Sequence, residues 1–310
     1  MLVEEELTRL SPEKDTLLTI GVFDGVHLGH KYLISKLKKS AEQENLLSGV
    51  VTFRQHPLEV LVPETVLPYL TNCEEKVELL KSEGIDIVIP LTFTPELAGL
   101  TAREFTGLLK KHLRMRGLVI GPDFTLGKDR EGNVSVLREL GREMGFSVTM
   151  VAAMNFFGEV VSSTAIRKYL QEGDLKNVSK LLGRTFSLQG VVVRGEGRGR
   201  TLGFPTANLE VDSVQSLLPE GVYATWIHVG DEKYPSVTNI GKRPTFGSND
   251  RTVETYIIDF NGDLYDWELK IDIVDLLRGE TKFKNIDELK QQILDDIEKG
   301  KAALGLSPDG

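Results

Sequence analysis

The sequence predicts an α/β domain built on a parallel sheet, followed by an all-β domain that closes on one C-terminal helix. Three observations carry this reading. The chain has 310 residues, about twice a common single-domain length, so two domains with separate cores are expected. In the first half, short apolar β-branched runs alternate with helical patterns, the rhythm of βαβ units. After about Gly183, strand-like runs follow one another with Gly, Pro and Asn turns and no helical pattern between them.

In the first half, strands are expected at 16–23, 47–53, 85–91, 117–121 and 147–151, with helices at 30–43, 74–82, 102–113 and 135–144. Parallel sheets of this kind gather ligands at the carboxyl ends of their strands, so the segments leaving those ends are where chemistry is expected. In the second half, strands are expected at 191–193, 222–229, 253–260 and 269–274. Leu269, Ile271 and Ile273 alternate with Lys270 and Asp272, the period-two signature of a half-buried strand. In the tail, Ile286, Leu289, Ile293 and Ile297 recur at helical spacing, and Asn285 with Glu288 resembles a capping box. An antiparallel barrel or compact sandwich fits this half. The domains are expected at 1–182 and 183–310, without an internal repeat or a low-complexity linker.

Composition narrows the function. A hydrophobic fraction of 40% with 27% charge excludes a disordered or fibrous chain. The net charge of −9 speaks against a broad nucleic-acid binder. Cys73 is the sole cysteine, too few for a disulfide framework or a cysteine-based zinc site. The acidic start lacks a basic-then-apolar run, and no stretch approaches the roughly 20 apolar residues of a membrane span. A cytoplasmic protein with no membrane or nucleic-acid partner is expected; weak self-association stays open.

Three strand-end segments in the first half share one theme. Gly21, Phe23, Asp24, Gly25, His27, Gly29 and His30 lie between the first strand and the first long helix. Glycines there allow close backbone approach, helix-start N–H groups face a ligand, and two imidazoles can donate to phosphate charge. Solvent-exposed histidines or half a zinc site are the alternatives; His56, His112 and His228 show no second paired spacing. The loop at 121–127 carries one acid, Asp123, which alone reads as a turn-former. Ser163, Thr164 and Arg167 stand at a helix start, as an ordinary cap or as a holder of a polyphosphate.

The second half has a comparable cluster. Residues 194–203 hold four Gly and three Arg, matching neither a Walker nor a dinucleotide pattern. Gly190 leads into this stretch, which holds Gly199 and Arg200 and suits either a phosphate-wrapping loop or a plain surface hairpin. Thr206 and Asn208 lie two residues apart, so on extended backbone their oxygens share a side, as two Mg²⁺ ligands would; a polar turn is the bland reading. A second loop is expected at 239–246. Glu254 interrupts an apolar β run, as edge protection or as a general base.

Together, GVFDGVHLGH at 21–30 with its preceding strand, Thr52, Phe53, His56 and Pro57, GPDFTLG at 121–127 and VSSTAIR at 161–167 resemble the bacterial bifunctional riboflavin kinase/FMN adenylyltransferase family, in that family's order. GRTLGFPTANL, PEGVY, NIGKRPTF, RGETKF and QQILDD extend the likeness from about 182 to 303. The resemblance implies a Rossmann-like nucleotidyltransferase domain and a six-stranded flavokinase-type barrel. It implies that His27 and His30 contact ATP phosphates, that Asp123 sits beside the nucleotide, and that Ser163, Thr164 and Arg167 bind the leaving polyphosphate. Phe53, His56, Pro57 and the position of Leu126 would line the flavin pocket. Thr206 and Asn208 would hold Mg²⁺, and Glu254 would activate the riboflavin 5′-hydroxyl. ATP, riboflavin, FMN and FAD are the implied substrates and products.

Four positions depart from the family pattern: Arg54-Gln55 replaces an acidic residue and Pro, Leu126 replaces Phe, and Asp266 replaces Gly. A missing ring against isoalloxazine is worth about 1 kcal/mol of binding, so flavin affinity is the open point. The competing readings are a nucleotidyltransferase for another phosphorylated substrate, a non-catalytic flavin-binding regulator, and an RNA ligase or synthetase, the last disfavoured by the acidic charge.

Overall fold

The structure is a computed structural model describing residues 2–62, 64–65, 67–156, 158–195, 197–242 and 251–306. It divides into two compact units, Met1–Ser163 and Thr164–Gly310.

The first unit runs α1 (Leu2–Arg9), β1 (Thr16–Ile20), α2 (Leu28–Glu44), β2 (Leu47–Phe53), α3 (Pro57–Leu61), α4 (Cys73–Ser82), β3 (Ile87–Leu91), α5 (Pro95–Ala98), α6 (Ala102–Leu113), β4 (Met115–Ile120), α7 (Val134–Met144) and β5 (Ser147–Met150). A small hairpin, β6 (Asn155–Phe156) and β7 (Glu159–Val160), follows; nothing in the periodicity announced it. The sheet is parallel with order β3-β2-β1-β4-β5. The fully buried pattern of β1 is what a central strand covered on both faces requires. One apolar cluster on this sheet includes Leu18, Val51, Ile89 and Leu118; a second includes Leu17, Val50, Leu37 and Leu80. Chain order reverses direction at β1, so its carboxyl end is the switch-point crevice. Helix ends are closed by side chains: Thr101 and Glu104 form a capping box on α6, and Asn72 Oδ1 accepts from Glu75 N at 2.8 Å on α4.

The second unit contains α8 (Ser163–Glu172, whose first residue closes the first unit), α9 (Leu175–Leu182), β8 (Phe186–Val193), α10 (Arg198–Leu202), β9 (Thr206–Val211), β10 (Gly221–Val229), β11 (Glu232–Lys242), β12 (Arg251–Ile257), β13 (Glu268–Gly279) and α11 (Ile286–Ala303). The strands close into an antiparallel barrel, β10-β11-β12-β9-β8-β13, which resolves the choice between barrel and sandwich. Leu269, Ile271 and Ile273 point into its core as their alternation requires. So do Thr225, Ser236, Thr238 and Thr255, whose buried hydroxyls bond one another at 2.7–2.9 Å. On the outside, α11 packs against β10, β11 and β13, with Ile293 and Ile297 in a cluster with Val222 and Val237.

Compactness divides the chain at Ser163/Thr164, ahead of the domain limit expected at Gly183, since α9 buries Leu175, Val178, Leu181 and Leu182 and packs on β8 and β13. Several other expectations change. Residues 206–211 are strand, the extended backbone that the ligand reading of Thr206 and Asn208 assumed, and 239–242 are strand rather than loop; Arg243, Pro244, Thr245 and Phe246 lie outside the described residues. The Gly/Arg stretch contains a short helix, α10. Ile286, placed on the apolar face of α11 by spacing, is 62% exposed, because it precedes the part of the helix that reaches the barrel. Glu288 bonds Lys284 N, not the Asn285 N–H of a strict capping box, while Asn285 does cap Glu288 N. Asp266 has φ 66°, the left-handed region that a glycine adopts without strain and that Asp tolerates.

Candidate active sites

The turn after β1 is shaped by backbone conformations that bring side chains inward. Phe23, Gly25 and Val26 all have positive φ, at 52°, 78° and 38°, folding the chain back before α2 begins. His27 is the N-cap of α2, and its Nδ1 accepts from His30 N at 3.3 Å. That leaves Nε2 as the protonated nitrogen of a neutral His27 ring. The two imidazoles stack with centroids 3.6 Å apart, and Phe23 lies 5.0 Å from His30. Gly29 permits this: a Cβ there would stand 3.1 Å from the His27 ring and from Val161 O.

His30 Nδ1 is buried without a hydrogen-bond partner. A bare lone pair is cheaper to bury than an unpaired N–H, so Nε2 also carries the proton in His30. Burial first, then His27 and Lys76, hold the His30 imidazole well below its ordinary pKa of 6.5. The turn thus sets two stacked imidazoles at a helix start, an arrangement suited to phosphate oxygens.

Asp24 anchors the turn. Its Oδ1 accepts from Leu70 N at 2.8 Å and Thr71 N at 3.2 Å, Thr71 Oγ1 accepts from Gly25 N at 3.1 Å, and Asp24 O accepts from Ser163 Oγ at 2.9 Å. Asp24, expected with the ATP-binding residues, is buried and spends this carboxylate oxygen on backbone amides. Gly21 admits the Phe23 ring, 3.0 Å from where a Cβ would be.

Phe53 closes β2, its ring edge-on to Phe93 at 5.2 Å. His56 caps α3 by accepting Leu58 N at 3.1 Å, and Pro57 takes the first helical position. The departure Arg54-Gln55 has its own partners: Gln55 Nε2 donates to Phe93 O at 2.8 Å, and Arg54 lies 3.8 Å from Glu6. Asp123 is exposed in the loop after β4, whereas Leu126 is 8% exposed within the apolar cluster. Leu126 therefore packs into the core beside this loop and offers no stacking ring. The ring that spacing did not single out is Phe93, just past β3.

In the second unit, a cavity of about 500 Å³ opens between the barrel and α11, lined by Gly199, Phe204, Thr206, Asn239, Glu254 and Tyr256, among others. Strand register builds it. Glu254 pairs with Asn208 of β9 on one side and Asn239 of β11 on the other, and Tyr256 pairs with Thr206. Directly opposed residues share a sheet face, so these oxygens and amides converge. Glu254 is interior to the barrel wall, which removes the edge-protection reading. A Cβ at Gly195 would fall 2.4 Å from the Asn208 amide, and one at Gly199 2.4 Å from Phe204 O, so both glycines allow the Gly/Arg segment to close over β9. Gly190, expected in that loop, instead lies within β8, where a Cβ would meet Glu210 O at 2.6 Å. Arg200 is exposed on α10. Across the cavity Arg278 binds Asp296 of α11 through three contacts of 2.8–3.1 Å.

Two family models match the chain: FAD synthetase over residues 10–165 and riboflavin kinase over 182–304. The bifunctional riboflavin kinase/FMN adenylyltransferase of Escherichia coli (strain K12) is 37% identical over 299 residues, covering 96% of this chain and 95% of that protein. The chain belongs to the bifunctional riboflavin kinase/FMN adenylyltransferase family. The proteins of the same name from Haemophilus influenzae and Listeria monocytogenes are each 34% identical over 92% of the chain. A crystal structure from Streptococcus pneumoniae, described as a macrolide-efflux protein, superposes with a TM-score of 0.87 at 31% identity over 97% of both chains. Among the described residues here, no helix is long and apolar enough to cross a membrane.

Within this family frame, the adenylyltransferase unit holds the stacked histidines, Asp24, Phe53 and Ser163, and the kinase unit holds Thr206, Asn208 and Glu254. Thr164 and Arg167 follow Ser163 within the first turns of α8. Thr206 and Asn208 present hard oxygens beside Glu254, a donor set that fits the divalent cation the family's ATP chemistry implies. Among the described residues no group of three His, Cys, Asp or Glu could hold a metal by itself, so such a cation would complete its shell with nucleotide oxygens.

Proposed function

We propose that this chain phosphorylates riboflavin to FMN in the barrel unit and adenylylates FMN to FAD in the α/β unit, each with ATP. What carries the reading is that one polypeptide joins two distinct constellations: stacked imidazoles at the carboxyl end of a central parallel strand, and a glutamate flanked by two asparagines in a barrel cavity.

In the kinase unit, Glu254 accepts the proton of the ribityl 5′-hydroxyl as that oxygen bonds the γ-phosphorus of ATP and the bond to ADP breaks. Thr206 and Asn208 hold Mg²⁺, which supplies charge neutralisation on the phosphates when bound. Gly199 and Arg200 close the phosphate end; positioning of this kind supplies most of the catalysis in phosphoryl transfer. In the adenylyltransferase unit, an oxygen of the FMN phosphate bonds the α-phosphorus of ATP and pyrophosphate leaves. That phosphate is already ionised near neutral pH, so no base is required. His27 and His30 donate to ATP oxygens, Ser163, Thr164 and Arg167 receive the pyrophosphate, and Asp123 contacts the nucleoside. Phe53 with Phe93, His56 and Pro57 line the flavin.

The domain limits we propose are 1–182 for adenylyl transfer, which keeps Thr164 and Arg167 with that activity, and 183–310 for the kinase, in a cytoplasmic enzyme without nucleic-acid or membrane partners; the family matches over 10–165 and 182–304 support these limits. Incubation with riboflavin, ATP and Mg²⁺ followed by chromatography of the flavins is the test. Successive appearance of FMN and FAD is expected; no flavin product would leave a binding role, and FMN alone would remove the second activity.

A further inference from the structure

Lys76 has a buried ammonium that the chemistry above does not use. It stands in the first turn of α4 and is 5% exposed. Its Nζ donates to Phe53 O, the last carbonyl of β2, at 2.6 Å. The same stretch of chain is tied to the nucleotide turn from the other side, through Leu70 N and Thr71 N on Asp24 and Thr71 Oγ1 under Gly25 N. Lys76 therefore closes a circuit between the turn carrying His27 and His30 and the strand end carrying Phe53. A lysine is costly to bury, and a hydrophobic residue would fill the space without that cost.

We propose that Lys76 is a positioning residue for adenylyl transfer, its ammonium fastening the flavin end of β2 to the nucleotide turn and placing positive charge behind His30. Burial lowers the pKa of Lys76, opposed by Cys73 and Asp24. In turn Lys76, with His27, disfavours the imidazolium of His30 and keeps its Nε2–H a neutral donor. This rests on the assignment of FMN adenylylation to the first unit.

The test compares full-length Lys76→Met and Lys76→Arg with the parent, measuring kcat and KM for FMN-to-FAD conversion across pH and riboflavin phosphorylation in the same samples. Displacing reacting groups by about 1 Å costs on the order of 100-fold. Lys76→Met should lose kcat on that scale with KM for ATP less affected, shift the acid limb of the pH profile to higher pH, and leave riboflavin phosphorylation unchanged. Lys76→Arg should recover much of the loss. Parental kcat and pH profile in Lys76→Met would overturn the proposal. So would losses in both variants that simply track an unfolded first unit, seen by hydrogen exchange. Failure of the parent chain itself to convert FMN would instead remove the underlying assignment.

Discussion

Glu254 and Asn208 face each other across the β12–β9 ladder, and the same Glu254 faces Asn239 across the β12–β11 ladder. Glu254 thus stands between two neighbouring strands, on the cavity side of a wall whose other side is the hydroxyl-bonded core. The general base we propose there is placed by the barrel ladder itself.

Replacing it by an isosteric amide should separate the two chemistries. Glu254→Gln is expected to lower FMN formation by about 10²- to 10⁴-fold, the span of a general base, while FMN supplied directly is still converted to FAD. Equal loss of both steps on chromatographic assay would contradict separate sites.

His30→Ala should do the reverse. Removing one preorganised donor to phosphate charge typically costs on the order of 10²- to 10³-fold, so FAD formation falls and riboflavin phosphorylation persists. An unchanged FAD rate would place the phosphates elsewhere.

Acid should weaken the first unit. The unfolded chain protonates His30 with an ordinary pKa of 6.5, whereas the folded chain does so only far lower. Below about 6.5 the unfolded state binds more protons, so stability falls as pH drops. His30→Gln removes that contribution. Urea titrations of both proteins above and below this pH should show a smaller acid loss in the variant; parallel curves would dismiss the linkage.

Asn208→Ala should raise the metal concentration needed for half-maximal riboflavin phosphorylation and leave barrel unfolding nearly unchanged, since its amide makes only a long 3.5 Å contact to Thr206 O. Chelation should stop the kinase step in the parent as well. An unaltered metal titration would exclude Asn208 as a ligand.

Gly199→Ala puts a methyl 2.4 Å from Phe204 O, where backbone must move. Riboflavin phosphorylation should drop with little change in FMN adenylylation. A fully active variant would mean that the Gly/Arg segment does not close over the nucleotide as drawn.

Much of this was legible in the residues because it is local. The strand at 47–53, the helix at 102–113 and the alternation at 269–274 match the structure closely, since periodicity encodes which face is buried. Residues 206–211 and 239–242 hid their strands behind polar residues such as Thr206 and Asn239, which line a cavity. The burial of Leu126 was not legible because it depends on partners such as Ala102 in the same apolar cluster, which leave no periodic trace around a loop residue. The roles of Asp24 and Lys76 were invisible for the same reason: each acts through backbone amides or carbonyls contributed by another element, and backbone groups leave no mark in composition.

The greasy side of α9 decides how the protein can be cut. A fragment beginning at Gly183 would leave β8 and β13 uncovered where Leu175, Val178, Leu181 and Leu182 had lain, inviting precipitation on expression. One beginning at Thr164 brings its own lid of leucines and should stay in solution as a kinase fragment, whereas a fragment made for adenylyl transfer has to run past Arg167 of α8.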